Sequence, residues 1–125
     1  MWLPTDEGRP LSSLVDNRHP MSTMSCIDAV GKATKGLFDT NEKQYHSQVF
    51  EEPLEITSLL GSITRKEGEP YLHLHINVGN ADHDVHGGHL NEAIISATGE
   101  LFIRIIDGRV GRIFSDEIGL NLFEF

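Results

Sequence analysis

Five of the seven histidines fall between Tyr71 and Leu90, in the stretch YLHLHINVGNADHDVHGGHL. Imidazole is a base, a proton shuttle and a metal ligand, so their spacing decides what they could do together. Leu72, Leu74, Ile76 and Val78 alternate with Tyr71, His73, His75 and Asn77. Side chains of a strand point to opposite faces with period two, so this pattern predicts a strand with aliphatics on one face and both histidines on the other. Same-face neighbours on a strand lie roughly 6.5–7 Å apart at Cα. Two imidazoles at that spacing can converge on one ion at about 2.0–2.1 Å from each nitrogen. A third ligand is required, and His89 is the candidate: it follows Gly87-Gly88 after the polar turn Asn80-Ala81-Asp82-His83-Asp84, which should fold the chain back beside the first strand. The paired glycines, Gly87 and Gly88, allow a close-approach turn there. Three neutral imidazoles would leave one coordination position for water or a ligand, as in open zinc sites. The same pattern also fits a polar sheet face, with His83, Asp84 and His86 on a solvated hairpin.

Those histidines need a framework, and the chain is long enough to supply one. At 125 residues and 38% hydrophobic content it forms one domain with a core of its own. The single cysteine, Cys26, excludes an intrachain disulfide. No apolar leader opens the chain and no run approaches the ~18 apolar residues of a membrane span, so a reducing cytoplasmic setting is expected. Cys26 lies in a short apolar stretch, Met21 to Asp28, and reads as a packed small hydrophobe. The 19 acids outnumber the 10 bases, for a formal charge of −9. Nucleic-acid affinity comes largely from Lys and Arg on phosphates, so this balance disfavours DNA as a partner, although Arg104, Arg109 and Arg112 cluster late in the chain.

Taken in order, residues 1–20 read as a lead-in with a short helix over about 11–18, where Leu11, Leu14 and Val15 repeat at helical spacing before Pro20. Residues 21–125 form the domain. Met21–Asp28 reads as a strand, Ala29–Thr34 as a turn or bulge entering a second strand at Ala33–Phe38, and Asp39–Glu42 as the turn of a polar edge hairpin ending at Phe50. Leu54–Gly61 reads as a strand with Leu54, Ile56 and Ser58 facing away from Glu55, Thr57 and Leu59. The charged turn Arg65–Pro70 delivers the histidine strand. Glu100–Ile106 is a further strand, and Asp107-Gly108 predicts that Val110–Phe114 returns antiparallel to it. Leu120–Phe125 is apolar on both faces and is expected to be covered by the core or by another subunit.

Three blocks together resemble the plant-and-prokaryote conserved (PPC) domain, also found in plant AT-hook nuclear proteins: Glu55–Gly61 (EITSLLG), His73-Leu74-His75, and Gly87-Gly88-His89-Leu90. Thr98-Gly99-Glu100, the strand that follows and Arg112 look like the family's later blocks, and the resemblance covers about residues 22–125. Plant members generally lack the histidine pair, so this chain looks like the prokaryotic branch. The resemblance implies an α+β subunit, mostly antiparallel sheet with one or two short helices, assembled as a homotrimer. It also favours the metal reading, carried by His73, His75 and His89, with zinc the leading ion and nickel, iron or cobalt compatible. Glu55 and Glu100 are the candidates for supporting carboxylates. The expected function is therefore a divalent-metal protein of undefined role, a metal-dependent hydrolase or a ligand sensor. The alternative is a DNA-binding or protein-interaction module that acts as a trimer without catalysis. In the AT-hook region the only echo is Glu7-Gly8-Arg9-Pro10, where an acid stands in place of the first basic residue.

Overall fold

The computed structural model describes residues 21–125. Seven strands account for most of it: β1 (Ser22–Asp39), β2 (Gln44–Phe50), β3 (Leu54–Lys66), β4 (Glu69–Gly79), β5 (Val85–Ile105), β6 (Gly111–Ser115) and β7 (Leu120–Glu124). No described residue is helical, so the α+β expectation is corrected to an all-β domain. The physical reason lies in the connections. Every strand pair is antiparallel, and the longest links, residues 80–84 and 106–110, have five residues each, too few for the crossover helix that a parallel pair would demand. The helix expected over 11–18, with the rest of the 1–20 lead-in, lies outside the described residues.

Long β1 organises the sheet. One edge pairs with β3 from Ser22 to Val30 and then with β2 from Ala33 to Asp39, while the other edge pairs with β5 from Ser22 to Gly36. Strand β4 joins β3 to β5, so β1, β3, β4 and β5 close into a ring and β2 extends it. The interior holds Met24, Cys26, Val30, Ile56, Leu59, Ile63, Leu74, Ile76, Val78 and Ile95, all nearly free of solvent contact. Closure leaves few open edges, and the exposed β2 forms one of them.

Bulges explain where the local pattern misleads. Of the turn or bulge expected over residues 29–34, the bulge is what forms: β1 runs through them with register shifts after Cys26, Asp28, Val30 and Thr34. Asp28 has φ of 126°, and its carboxylate accepts hydrogen bonds from the Ala29 N–H (2.9 Å) and the Thr98 hydroxyl. A second bulge between Ile56 and Ser58 turns Leu59 inward with Leu54 and Ile56, contrary to strict alternation. At the other end β6 does not pair with β5: it forms a two-stranded sheet with β7, and the Arg65 N–H donates to Val110 O at 3.2 Å, holding this hairpin beside the end of β3. Strand β7 is half-exposed rather than covered by the core.

Candidate metal centre

His73 and His75 point outward from β4, while Leu74 and Ile76 beside them are buried. The turn at 80–84 is built by Asn80, whose Oδ1 accepts from the Asp82 N–H (3.0 Å) and the Asp84 N–H (2.9 Å); His83 takes the left-handed position, with φ of 66°. It returns the chain as β5 with His89 directly opposite His75. On its other edge His89 lies opposite Gly36 of β1, so this histidine sits where β5 meets β4 and β1 at once.

The three rings form a nearly equilateral triangle. Their centroids are 5.3 Å apart for His73 and His75, 5.4 Å for His73 and His89, and 5.6 Å for His75 and His89. One nitrogen from each lies within 4.8 Å of the others. Nitrogens bound to one zinc can be no more than about 4.2 Å apart, so slight ring rotations bring this donor set onto an ion. Burial pushes His73 below the ordinary imidazole value, helped by the charges of Arg112 and His75; burial also lowers His89, helped by His73 and His75. Both shifts favour the neutral form that a metal requires.

Glycines set the approach of these strands. A Cβ on Gly87 would strike the Asn77 side chain, whose Nδ2 donates to Ser58 Oγ at 2.8 Å, and a Cβ on Gly88 would lie 2.8 Å from Gly36 O. The pair is thus a close-approach element, placed within β5 rather than in the turn. Gly36 is covered by the ring of Tyr45, which meets the His89 ring edge-on at 6.1 Å and donates its hydroxyl to Asn91 Oδ1 at 2.6 Å.

The carboxylates are not brought to this triangle. Glu55 pairs with Gly79, four positions along β4 from His75, and Glu100 pairs with Ile27 on the far part of β1. Asp84 and His83 stay in the turn, and His86 stacks on Phe50 at 4.8 Å. Among the described residues the three histidines alone form a metal-ligating group.

Arg112 is the neighbour that sequence reasoning did not place in the site. It is 9% exposed. Its Nε donates to Thr64 Oγ1 (3.0 Å), Nη1 to Asn121 O (3.2 Å) and Nη2 to Ser62 Oγ (3.4 Å), and Ser62 is the cross-strand partner of His73. The guanidinium also packs on the rings of Phe123 (4.1 Å) and Tyr71 (5.0 Å). No local signal announces this, because Thr64 is 48 residues away in sequence.

The model of the Plants and Prokaryotes Conserved (PCC) domain matches residues 10–107. The chain belongs to this family. Among solved structures, a metal-containing protein from Archaeoglobus fulgidus is 32% identical with a TM-score of 0.87, over 100% of this chain and 92% of that one. A Bacteroides thetaiotaomicron protein, named as a candidate DNA-binding protein, is 34% identical with a TM-score of 0.83, over 86% of this chain and 75% of that one. A plant- and prokaryote-conserved protein from Pyrococcus horikoshii is 26% identical with a TM-score of 0.87, over 100% and 90%. No curated protein matches.

Proposed function

We propose that this PCC-domain protein binds one divalent metal ion through His73, His75 and His89, with zinc the ion that the donor set fits best. The observation that carries the reading is the triangle of three outward rings from two paired strands, with nitrogens within 4.8 Å of one another. The similarity to the metal-containing protein of Archaeoglobus fulgidus supports it. When bound, such an ion supplies a Lewis acid with an exchangeable position, suited to hydrolysis or to sensing a ligand. This chain's part is to hold three neutral imidazoles on a rigid sheet and to leave their outer side open. Metal analysis of protein purified without chelator or affinity metal tests it. One ion per chain, lost in His73→Ala, His75→Ala and His89→Ala, is expected; metal-free wild type that refuses added zinc would end the reading.

We further propose that the subunits form a homotrimer in the cytoplasm. Exposed Leu60 and Phe102 flank Ser25 on the outer sheet face, beside His75, and Leu120, Leu122 and Phe123 of β7 are partly bare, which supports burial against other copies. Native mass spectrometry reads the stoichiometry directly. Among the described residues, no helix is long and apolar enough to cross a membrane.

A DNA-binding role is the second reading, favoured by the similarity to the candidate DNA-binding protein of Bacteroides thetaiotaomicron. The −9 charge opposes it. Binding to duplex DNA that weakens steeply between 50 and 200 mM salt, roughly 10³-fold or more, would establish it over the first reading.

A further inference from the structure

Arg112 is a nearly buried cation with no carboxylate partner among the described residues, in a chain carrying 19 acids. Its three hydrogen-bond acceptors are neutral: the Thr64 and Ser62 hydroxyls and the Asn121 carbonyl. Neutral acceptors and aromatic faces solvate a guanidinium but leave its charge uncancelled. A guanidinium has five N–H donors, so two remain after these bonds. The orientation is also informative. Nε sits at Thr64 and Nη2 at Ser62, one step along the same face of β3 and directly across from His73, so the Nη2 end is the one nearest the histidine triangle.

A structural role alone accounts for the aromatic packing and for the link between the β6–β7 hairpin and β3. It does not account for a charge where neutral residues would pack as well. Three neutral imidazoles leave a divalent ion with both its charges, so ion and guanidinium together concentrate about three positive charges on one side of an acidic protein. A small anion satisfies that spot. A polyanion would also have to approach a chain whose overall charge is −9, which the short screening length of about 8 Å only partly hides.

We propose that Arg112 receives the negative charge of a small ligand that occupies the metal's open position, and that this ligand carries a carboxylate or phosphate group. The inference rests on the metal reading and adds the chemical class of what that metal meets. Planar N–H pairs of arginine match both oxyanions, and Arg112 acts here as a binding residue.

The test uses full-length protein loaded with cobalt(II), whose visible bands report the coordination sphere, titrated with inorganic phosphate and with acetate as probes. Saturable band shifts are expected with the wild type. In Arg112→Met the apparent Kd should rise at least about tenfold, and in Arg112→Lys by about threefold, with one cobalt per chain retained in both. A response to phosphate alone assigns the ligand to the phosphate class, and a response to acetate alone to the carboxylate class. Wild-type bands indifferent to both anions, or unchanged affinity in the variants, overturn the inference and leave the metal site standing. Failure to take up cobalt overturns both. If Arg112→Met melts early for loss of its contacts, the Lys variant, which keeps the charge, carries the comparison.

Discussion

His75 and His89 stand directly opposite each other across the β4–β5 ladder, and their rings meet edge-on at 5.6 Å. Each therefore depends on the other strand for its place. Replacing either by Ala removes one of three donors, and the remaining pair should hold zinc at least 100-fold more weakly, measured by competition with a chromogenic chelator. Both variants should stay folded, because these outward side chains are not part of the barrel interior. Chelating the wild type should lower its thermal midpoint, since an ion present at 100 times its Kd stabilises by about 2.7 kcal/mol. The same chelator should leave the midpoint of His75→Ala unmoved.

Gly88 lies against Gly36 of β1, beside the Gly36–His89 pair. A Cβ there lies 2.8 Å from Gly36 O, a backbone atom that cannot swing aside, so Gly88→Ala should cost about 1–3 kcal/mol in urea unfolding. Because His89 follows directly, zinc affinity should fall together with stability. A variant that lost neither would show that the strands have slack the observed contacts do not suggest.

Tyr45 braces the third ligand from β2, reaching across Gly36 of β1 to His89 on β5. Tyr45→Phe deletes the hydroxyl bond to Asn91 and keeps the ring over Gly36, so stability should drop by only about 0.5–1.5 kcal/mol. Tyr45→Ala also removes the ring that bounds His89, so zinc affinity should fall, by less than the roughly 10–100-fold that losing a ligand's hydrogen-bonded partner costs. The two variants thus separate hydrogen bonding from ring placement, by calorimetric zinc titration of each.

The metal-free protein should lose stability on acidification, with a known sign. Burial holds His73 and His89 below the ordinary imidazole value of 6.5, reinforced at His73 by Arg112 and His75, and at His89 by His73 and His75. Just below pH 6.5 the unfolded chain then binds more protons than the folded one, so the unfolding free energy falls as pH drops through 6.5 toward the depressed folded values, and levels off beneath them. Histidine C–H resonances followed by NMR should show both rings titrating late. In Arg112→Met the His73 curve should move back toward 6.5, because the largest nearby charge has gone.

How much of this was legible in the sequence follows from how local each signal is. The histidine strand and its turn could be read because Leu72 to Val78 alternates without interruption and Asn80 opens a five-residue link, so the facing of His73 and His75 was fixed by period two alone. Reading failed where a bulge intervenes. The stretch Ala29–Thr34 reads as a turn or bulge and so divides β1 in two, whereas the bulges leave it one continuous strand, and the shift at Ile56/Ser58 turned Leu59 to the opposite face from the one alternation assigns. Among the described residues, links of at most five residues leave no room for a helix of the kind the resemblance implies. Arg112 was invisible as a neighbour of His73 because its bond to Ser62, the cross-strand partner of His73, requires β6 to leave β5 and pair with β7, and Asp107-Gly108 signals a turn without saying where it leads.

Cys26 offers the simplest check on the core. Its thiol is 2% exposed in the barrel interior, and burial, followed by the charges of Asp28 and Glu100, pushes its pKa up to about 11. At pH 8 only about one molecule in a thousand would carry the reactive thiolate, and a reagent would still have to reach it. Ellman's reagent should therefore release no colour from the native protein within minutes, then one equivalent per chain once guanidinium unfolds it. Rapid labelling of the native state would mean that β1 separates from β3 or β5 on that timescale, since Cys26 lies between Leu59 and Leu101 in those two ladders. Because β1 also carries Gly36 opposite His89, opening of that kind would loosen the candidate metal centre at the same moment, and zinc should slow the labelling.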